Sequence, residues 1–279
     1  MKLFPDRLFR DVIPPAGVAM ADYVGVQIPI DNTFLCAYVM TPDGTYDHPR
    51  PCVILCHGFP GFYKSDDIAQ ALCRMGCVVI VPNCRGGWGS GGYYSFTNYI
   101  TDLITAARWA QSPWTVQTYA IDPDSIFLVG HSMGASSALN AARQLPWLRG
   151  VIGIAPYDLS FVFDETPYGI DFLLEMGAPV LHEETPDAIR RNAIQYHKDL
   201  ALVLSFDTLK DQNLLLISGT LDEIAPPEKT IAPLWDRLKK HNTTAVQNHI
   251  QFPSDHDFCS FRIALIEQIG YWIASLFQP

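Results

Sequence analysis

Short, nearly unbroken apolar runs alternate along this chain with segments whose apolar residues recur every three or four positions. The runs are Cys52–Cys56 (CVILC), Cys77–Val81 (CVVIV), Ile126–Val129 (IFLV), Val151–Ala155 (VIGIA) and Leu214–Ser218 (LLLIS), with a last one near Asn248–Phe252. Five of these six lack polar alternation, the pattern of strands covered on both faces of a parallel sheet. Upstream, Tyr23–Ile30 and Thr33–Met40 read as two strands joined through the turn pair Asp31-Asn32. Between the runs lie helical patterns. Ser65 is placed to cap a helix that carries Ile68, Leu72 and Met75 inward and stops at Gly76. Ile100, Leu103, Ile104 and Ala107 form one face of a helix expected to start near Asn98. Pro226-Pro227 open another helix that runs through Leu238, and Phe258–Phe277 reads as one long apolar helix. The alternation predicts the α/β class: an eight-stranded, mostly parallel sheet with helices on both faces. Residues 1–279 are expected to form a single domain. After Pro156 no strand begins until about Asn213, so residues 157–212 are expected to form a short cap or lid.

Composition narrows the partners. Apolar residues make up 48% and charged residues 17%, enough for a large core and against wholesale disorder. Lys and Arg number 19 against 29 Asp and Glu, a net charge of −10. That deficit of positive charge argues against nucleic acid or an anionic membrane as partner. The first fifteen residues mix prolines with charges, and no run approaches a membrane span, so a cytoplasmic protein is expected. The seven cysteines include Cys52, Cys56 and Cys77 inside apolar runs, where a free thiol acts as a small hydrophobe. Neither a disulfide framework nor a metal site is expected. Oligomeric state has no signature in the sequence.

The chemistry concentrates where the strands end. Gly130-His131-Ser132-Met133-Gly134 fits G-x-S-x-G, follows an apolar run and leads into a helix of small residues. A serine at such a turn has an exposed hydroxyl beside a helix N-terminus. Chance alone yields on the order of 0.1 such matches in a chain of this length, so the strand before and the helix after carry the signal. His57-Gly58-Phe59-Pro60-Gly61 follows Cys52–Cys56, where an oxyanion-stabilising loop belongs. There the N–H groups of Phe59 and Met133 would form the pair of donors. Asp222 and His256 follow the last two strands, completing the order Ser, Asp, His. Glu223 is the nearest rival for the acid and His249 for the base. Gly87, Gly89 and Gly92 formally satisfy G-x-G-x-x-G, but no helix opens directly after them, so a flexible active-site rim is expected there rather than a cofactor loop. No cofactor is expected.

With these residues placed, the chain resembles the α/β-hydrolase superfamily over nearly its full length. Asn83-Cys84-Arg85-Gly86 and the glycines after it resemble the catalytic domains of prolyl-oligopeptidase-like and dienelactone-hydrolase-like enzymes. The short insertion is more similar to small serine esterases. The resemblance implies Ser132 as nucleophile, His256 as base, Asp222 as acid, and Phe59 and Met133 as oxyanion donors. A serine at 132 departs from the cysteine of dienelactone hydrolases and from the aspartate of dehalogenases and epoxide hydrolases. The expected function is serine hydrolysis of carboxylic esters, with Phe62, Tyr63, Trp88, Tyr93 and Tyr157 lining an apolar acyl pocket. One alternative is a peptidase or amidase, with Glu183-Glu184 as the candidate site for a substrate amine. The other is a hydrolase-fold binding protein without turnover.

Overall fold

The computed structural model describes residues 2–46 and 48–277. Eight strands form one sheet: β1 (Asp22–Ile30), β2 (Thr33–Thr41), β3 (Arg50–Cys56), β4 (Val78–Pro82), β5 (Ile121–His131), β6 (Gly150–Ile154), β7 (Leu214–Gly219) and β8 (Gln247–Phe252). Their spatial order is β1-β2-β4-β3-β5-β6-β7-β8. β1 pairs antiparallel with β2, and β2 with β4; every other neighbouring pair is parallel. This is the eight-stranded, mostly parallel sheet that the apolar runs predict, in the strand order of the α/β-hydrolase fold that the resemblance implies.

The helices are α1 (Asp66–Met75), α2 (Phe96–Gln111), α3 (Pro113–Tyr119), α4 (Met133–Ala142), α5 (Ile170–Gly177), α6 (Ala188–Tyr196), α7 (Phe206–Leu209), α8 (Pro227–Thr230), α9 (Ala232–Leu238) and α10 (Arg262–Ser275). The pleat of β3 shows why its apolar run has no polar member. Cys52, Ile54 and Cys56 join the core under α2 and α4, whereas Val53 and Leu55 join the core under α1 and α10. Each side chain leaves water completely, which for Val, Leu or Ile is worth roughly 1.5–3 kcal/mol.

Several local expectations need correction. Ser65 does not cap α1 with its side chain: it sits at φ 57°, and its carbonyl accepts from Ile68 and Ala69 instead. The helix begins at Phe96 rather than Asn98, because Ser95 caps it by accepting from the Asn98 N–H at 3.0 Å. The helix after Pro226-Pro227 is two short helices. Pro233 at the second position of α9 has no N–H to extend a ladder back into α8. The terminal helix opens with a 3-10 turn at Cys259–Phe261, since Phe258 is left-handed at φ 56°. The glycine-rich segment is pinned rather than loose. Arg85 is buried, its Nε lies 2.5 Å from Asp102 and its Nη1 2.7 Å from Asp31, while Gly86 and Tyr94 exchange backbone hydrogen bonds with His182.

Candidate active site

β3 and β5 end side by side, with Cys56 opposite Gly130, and both chains turn into loops at the same edge. Ser132 forms the turn from β5 into α4, at φ 56° and ψ −124°. A residue held in so sparse a region persists only when its surroundings over-determine it. Here the Ser132 N–H donates to Ile154 and its carbonyl accepts from Ala135, Ser136 and Tyr157. Gly134 lets α4 close onto β3: a Cβ there would meet the carbonyl oxygens of Cys56 and His57 at 2.3 Å.

His256 lies after β8, and its Nδ1 is 2.8 Å from Asp222 Oδ2. Asp222 Oδ1 accepts from the backbone N–H groups of Ile224 (3.0 Å) and Ala225 (2.8 Å), so the loop after β7 fixes the carboxylate. The two residues are only 7% and 5% exposed, and a hydrogen bond this dry orients the imidazole strongly. With Nδ1–H committed to Asp222, neutral His256 has Nε2 free as a base. Ser132 and His256 line one cavity of about 270 Å³, together with Phe59, Phe62, Tyr63, Tyr157 and residues of α5. Met133 is the first residue of α4, so its N–H has no partner within the helix.

Two further histidines hold this arrangement. His57 Nε2 accepts from the Cys84 N–H at 3.3 Å, so its Nδ1 carries the proton and donates to the Gly58 carbonyl at 2.8 Å. In a trans peptide the C=O and the next N–H point opposite ways. Holding the Gly58 oxygen therefore aims the Phe59 N–H away from His57. His131 Nε2 donates to the His256 carbonyl at 2.8 Å, tying the Ser132 turn to the loop that carries His256. Burial pushes both rings down to about 3, so both are neutral at physiological pH. The sequence marks both as parts of motifs but carries no signal of these backbone partners.

These depressed values set a pH dependence. In the unfolded chain each ring protonates near 6.5, whereas in the fold it stays neutral, so their stabilisation is present above pH 6.5 and is lost as pH falls toward 3. At pH 5 the loss is about 2 kcal/mol for each. Buried Asp102, pushed up to about 6, works in the opposite direction and returns about 1 kcal/mol at that pH. Urea unfolding at pH 7.5 and pH 5 is expected to show lower stability at pH 5, with a smaller loss in His131→Gln. A flat profile would contradict the neutral assignments.

Not every expected residue reaches the cavity. Trp88 packs edge-on against Phe62 at 5.6 Å and donates to the Pro60 carbonyl at 2.7 Å, so it supports the lining from behind. Tyr93 is an exposed residue of the pinned loop and is not part of the lining. Glu223 is exposed beside Asp222, and His249 meets Ser218 Oγ at 2.9 Å within the sheet. Glu183 accepts from the Ile189 N–H at the start of α6, and neither it nor Glu184 lines the cavity. Leu173, Met176, Ile224 and Asp257 line it without having been singled out by any motif.

α5 also touches the loop that carries Phe59. A Cβ on Gly177 would lie 2.2 Å from the Phe59 ring, which Tyr94 and Phe96 brace from other sides. Gly177→Val is expected to displace the Phe59 loop, lowering Tm through overpacking and lowering kcat at least tenfold, because a misplacement of about 1 Å can cost 10² in rate. Unchanged turnover would show that the loop does not depend on this contact.

The sheet order, the turn at Ser132 and the late Asp and His together define an α/β-hydrolase. The chain belongs to the prolyl oligopeptidase family, whose model matches residues 63–279. Dipeptidyl aminopeptidase BIII of Pseudoxanthomonas mexicana is 29% identical over 158 residues, 49% of this chain. The matched stretch spans 22% of that relative's own length. The fold is shared with a hyperthermophilic esterase from the archaeon Pyrobaculum calidifontis (TM-score 0.68, 18% identity, 94% of this chain and 88% of that one). It is shared too with the acylaminoacyl peptidase of Pyrococcus horikoshii (TM-score 0.66, 15% identity, 91% of this chain and 41% of that one). No helix among the described residues is long and apolar enough to cross a membrane.

Proposed function

We propose that the protein is a serine hydrolase that cleaves carboxylic esters through an acyl-enzyme. The observation that carries this reading is the dry Asp222–His256 hydrogen bond, with His256 and the strained Ser132 lining one cavity. His256 Nε2 takes the proton as Ser132 Oγ adds to the ester carbonyl, and the resulting imidazolium is stabilised by Asp222. The N–H groups of Phe59 and Met133 receive the oxyanion, at about 3–4 kcal/mol per donor. His256 then returns the proton to the departing alcohol. Water, deprotonated by the same nitrogen, attacks the acyl group and frees Ser132.

The ester reading is supported by the lining, in which Phe59, Phe62, Tyr157, Phe172, Leu173 and Met176 give an acyl chain an apolar bed. The engagement of Glu183 with the α6 backbone weakens the case for an amine site in the insertion. We read residues 157–212 as a cap, since α5 supplies one wall of the cavity. A panel of p-nitrophenyl esters set against aminoacyl amides tests the assignment. Turnover of esters is expected; turnover of amides alone would favour the peptidase reading, and failure of Ser132 to react with a fluorophosphonate would favour a silent binding protein.

A further inference from the structure

The cavity beside Ser132 holds one carboxylate that the mechanism does not use. Asp257 follows His256 directly, lines the cavity and is exposed. Its side chain has no hydrogen-bond or ion-pair partner among the described residues, in contrast to the nearby acids. Asp67 binds Arg262 through both carboxylate oxygens at 2.7 Å, and Asp255 accepts from the Phe258 N–H at 3.1 Å. The neighbouring cations are already engaged. Arg262 reaches only the backbone oxygen of Asp257, at 3.4 Å, while Lys64 Nζ is held by the Gly61 carbonyl at 3.1 Å and by the Trp88 ring at 4.7 Å. Asp257 shares the cavity with Phe62, which is 64% exposed, and with Tyr63, whose ring the Arg262 guanidinium covers at 5.1 Å.

An unpaired carboxylate that shares a cavity with an exposed aromatic ring such as Phe62 is the chemistry that holds an organic ammonium ion: the charge faces the carboxylate and the alkyl groups face the ring. We propose that Asp257 is a specificity-determining residue and that the cavity prefers substrates bearing an ammonium group. The inference rests on the hydrolase reading above. It gives the substrate class a feature that the net charge of −10 alone does not supply.

Two isosteric ester pairs test it. Choline butyrate against 3,3-dimethylbutyl butyrate places the charge on the alcohol. The p-nitrophenyl ester of 4-(trimethylammonio)butyrate against that of 5,5-dimethylhexanoate places it on the acyl group. The readout is the cationic-to-neutral ratio of kcat/KM within each protein, so any general loss of activity in a variant cancels. The wild type is expected to favour the cation on at least one arm. Asp257→Asn should lower that ratio about three- to tenfold, and 0.5 M NaCl should lower it in the wild type. Ratios equal in wild type and Asp257→Asn on both arms would overturn the proposal while leaving the hydrolase reading intact. Saturation-transfer NMR with choline and 3,3-dimethylbutan-1-ol reads the same preference without turnover. Stronger binding of choline by the wild type than by Asp257→Asn supports the proposal even if no ester is cleaved, and equal binding overturns it.

Discussion

Ser132→Ala is expected to lower kcat on p-nitrophenyl esters by about 10⁶, with the fold intact. The size of the effect follows from the loss of the covalent route: without Oγ, His256 has no proton to take and the remaining rate comes from the oxyanion donors and binding. The fold should be indifferent, because Ser132 is held by its backbone: its N–H donates to Ile154 and its carbonyl accepts from three residues. Circular dichroism and Tm beside the kinetics separate the two effects. Retention of wild-type turnover would remove Ser132 from the reaction.

Asp222→Asn should cost about 10⁴ in kcat. Asparagine keeps the shape, and its oxygen can still accept from Ile224 and Ala225, as Oδ1 does now. Its NH₂ then faces His256 Nδ1, where only an acceptor can satisfy it. The imidazole must move its proton to Nε2, and the nitrogen that should receive the Ser132 proton is blocked. Steady-state kinetics at pH 7.5 checks this. A loss below tenfold would point away from Asp222, and Glu223→Gln would then be the comparison to make.

Much of this arrangement is legible in the sequence because each part has a local cause. β3 and β7 show themselves as unbroken apolar runs, since residues facing either side of a parallel sheet meet helices. Ser132 and Asp222 are legible because each follows such a run, and His256 because it follows the last, polar-mixed strand, where strand ends gather in space. The parts that escape are set by contacts distant along the chain. His57 acts through Cys84, His131 through the His256 carbonyl, and Gly177 through the Phe59 ring. No periodicity or spacing encodes those pairings. Ser65 shows the reverse failure: a residue suited to capping is turned into the left-handed region, so its hydroxyl loses the cap geometry. Trp88 misleads because an exposed aromatic near a site has equal reason to brace a lining residue as to be one.

The central claim is a covalent acyl-enzyme on Ser132. The most direct test is acid quenching of the protein during turnover of a slowly released p-nitrophenyl ester, followed by intact-mass and peptide-mapping mass spectrometry. The wild type should carry one acyl mass on the peptide containing Ser132, and Ser132→Ala none. An ester hydrolysed with no acyl adduct during a measured product burst, or an adduct on another residue that persists in Ser132→Ala, would contradict the claim.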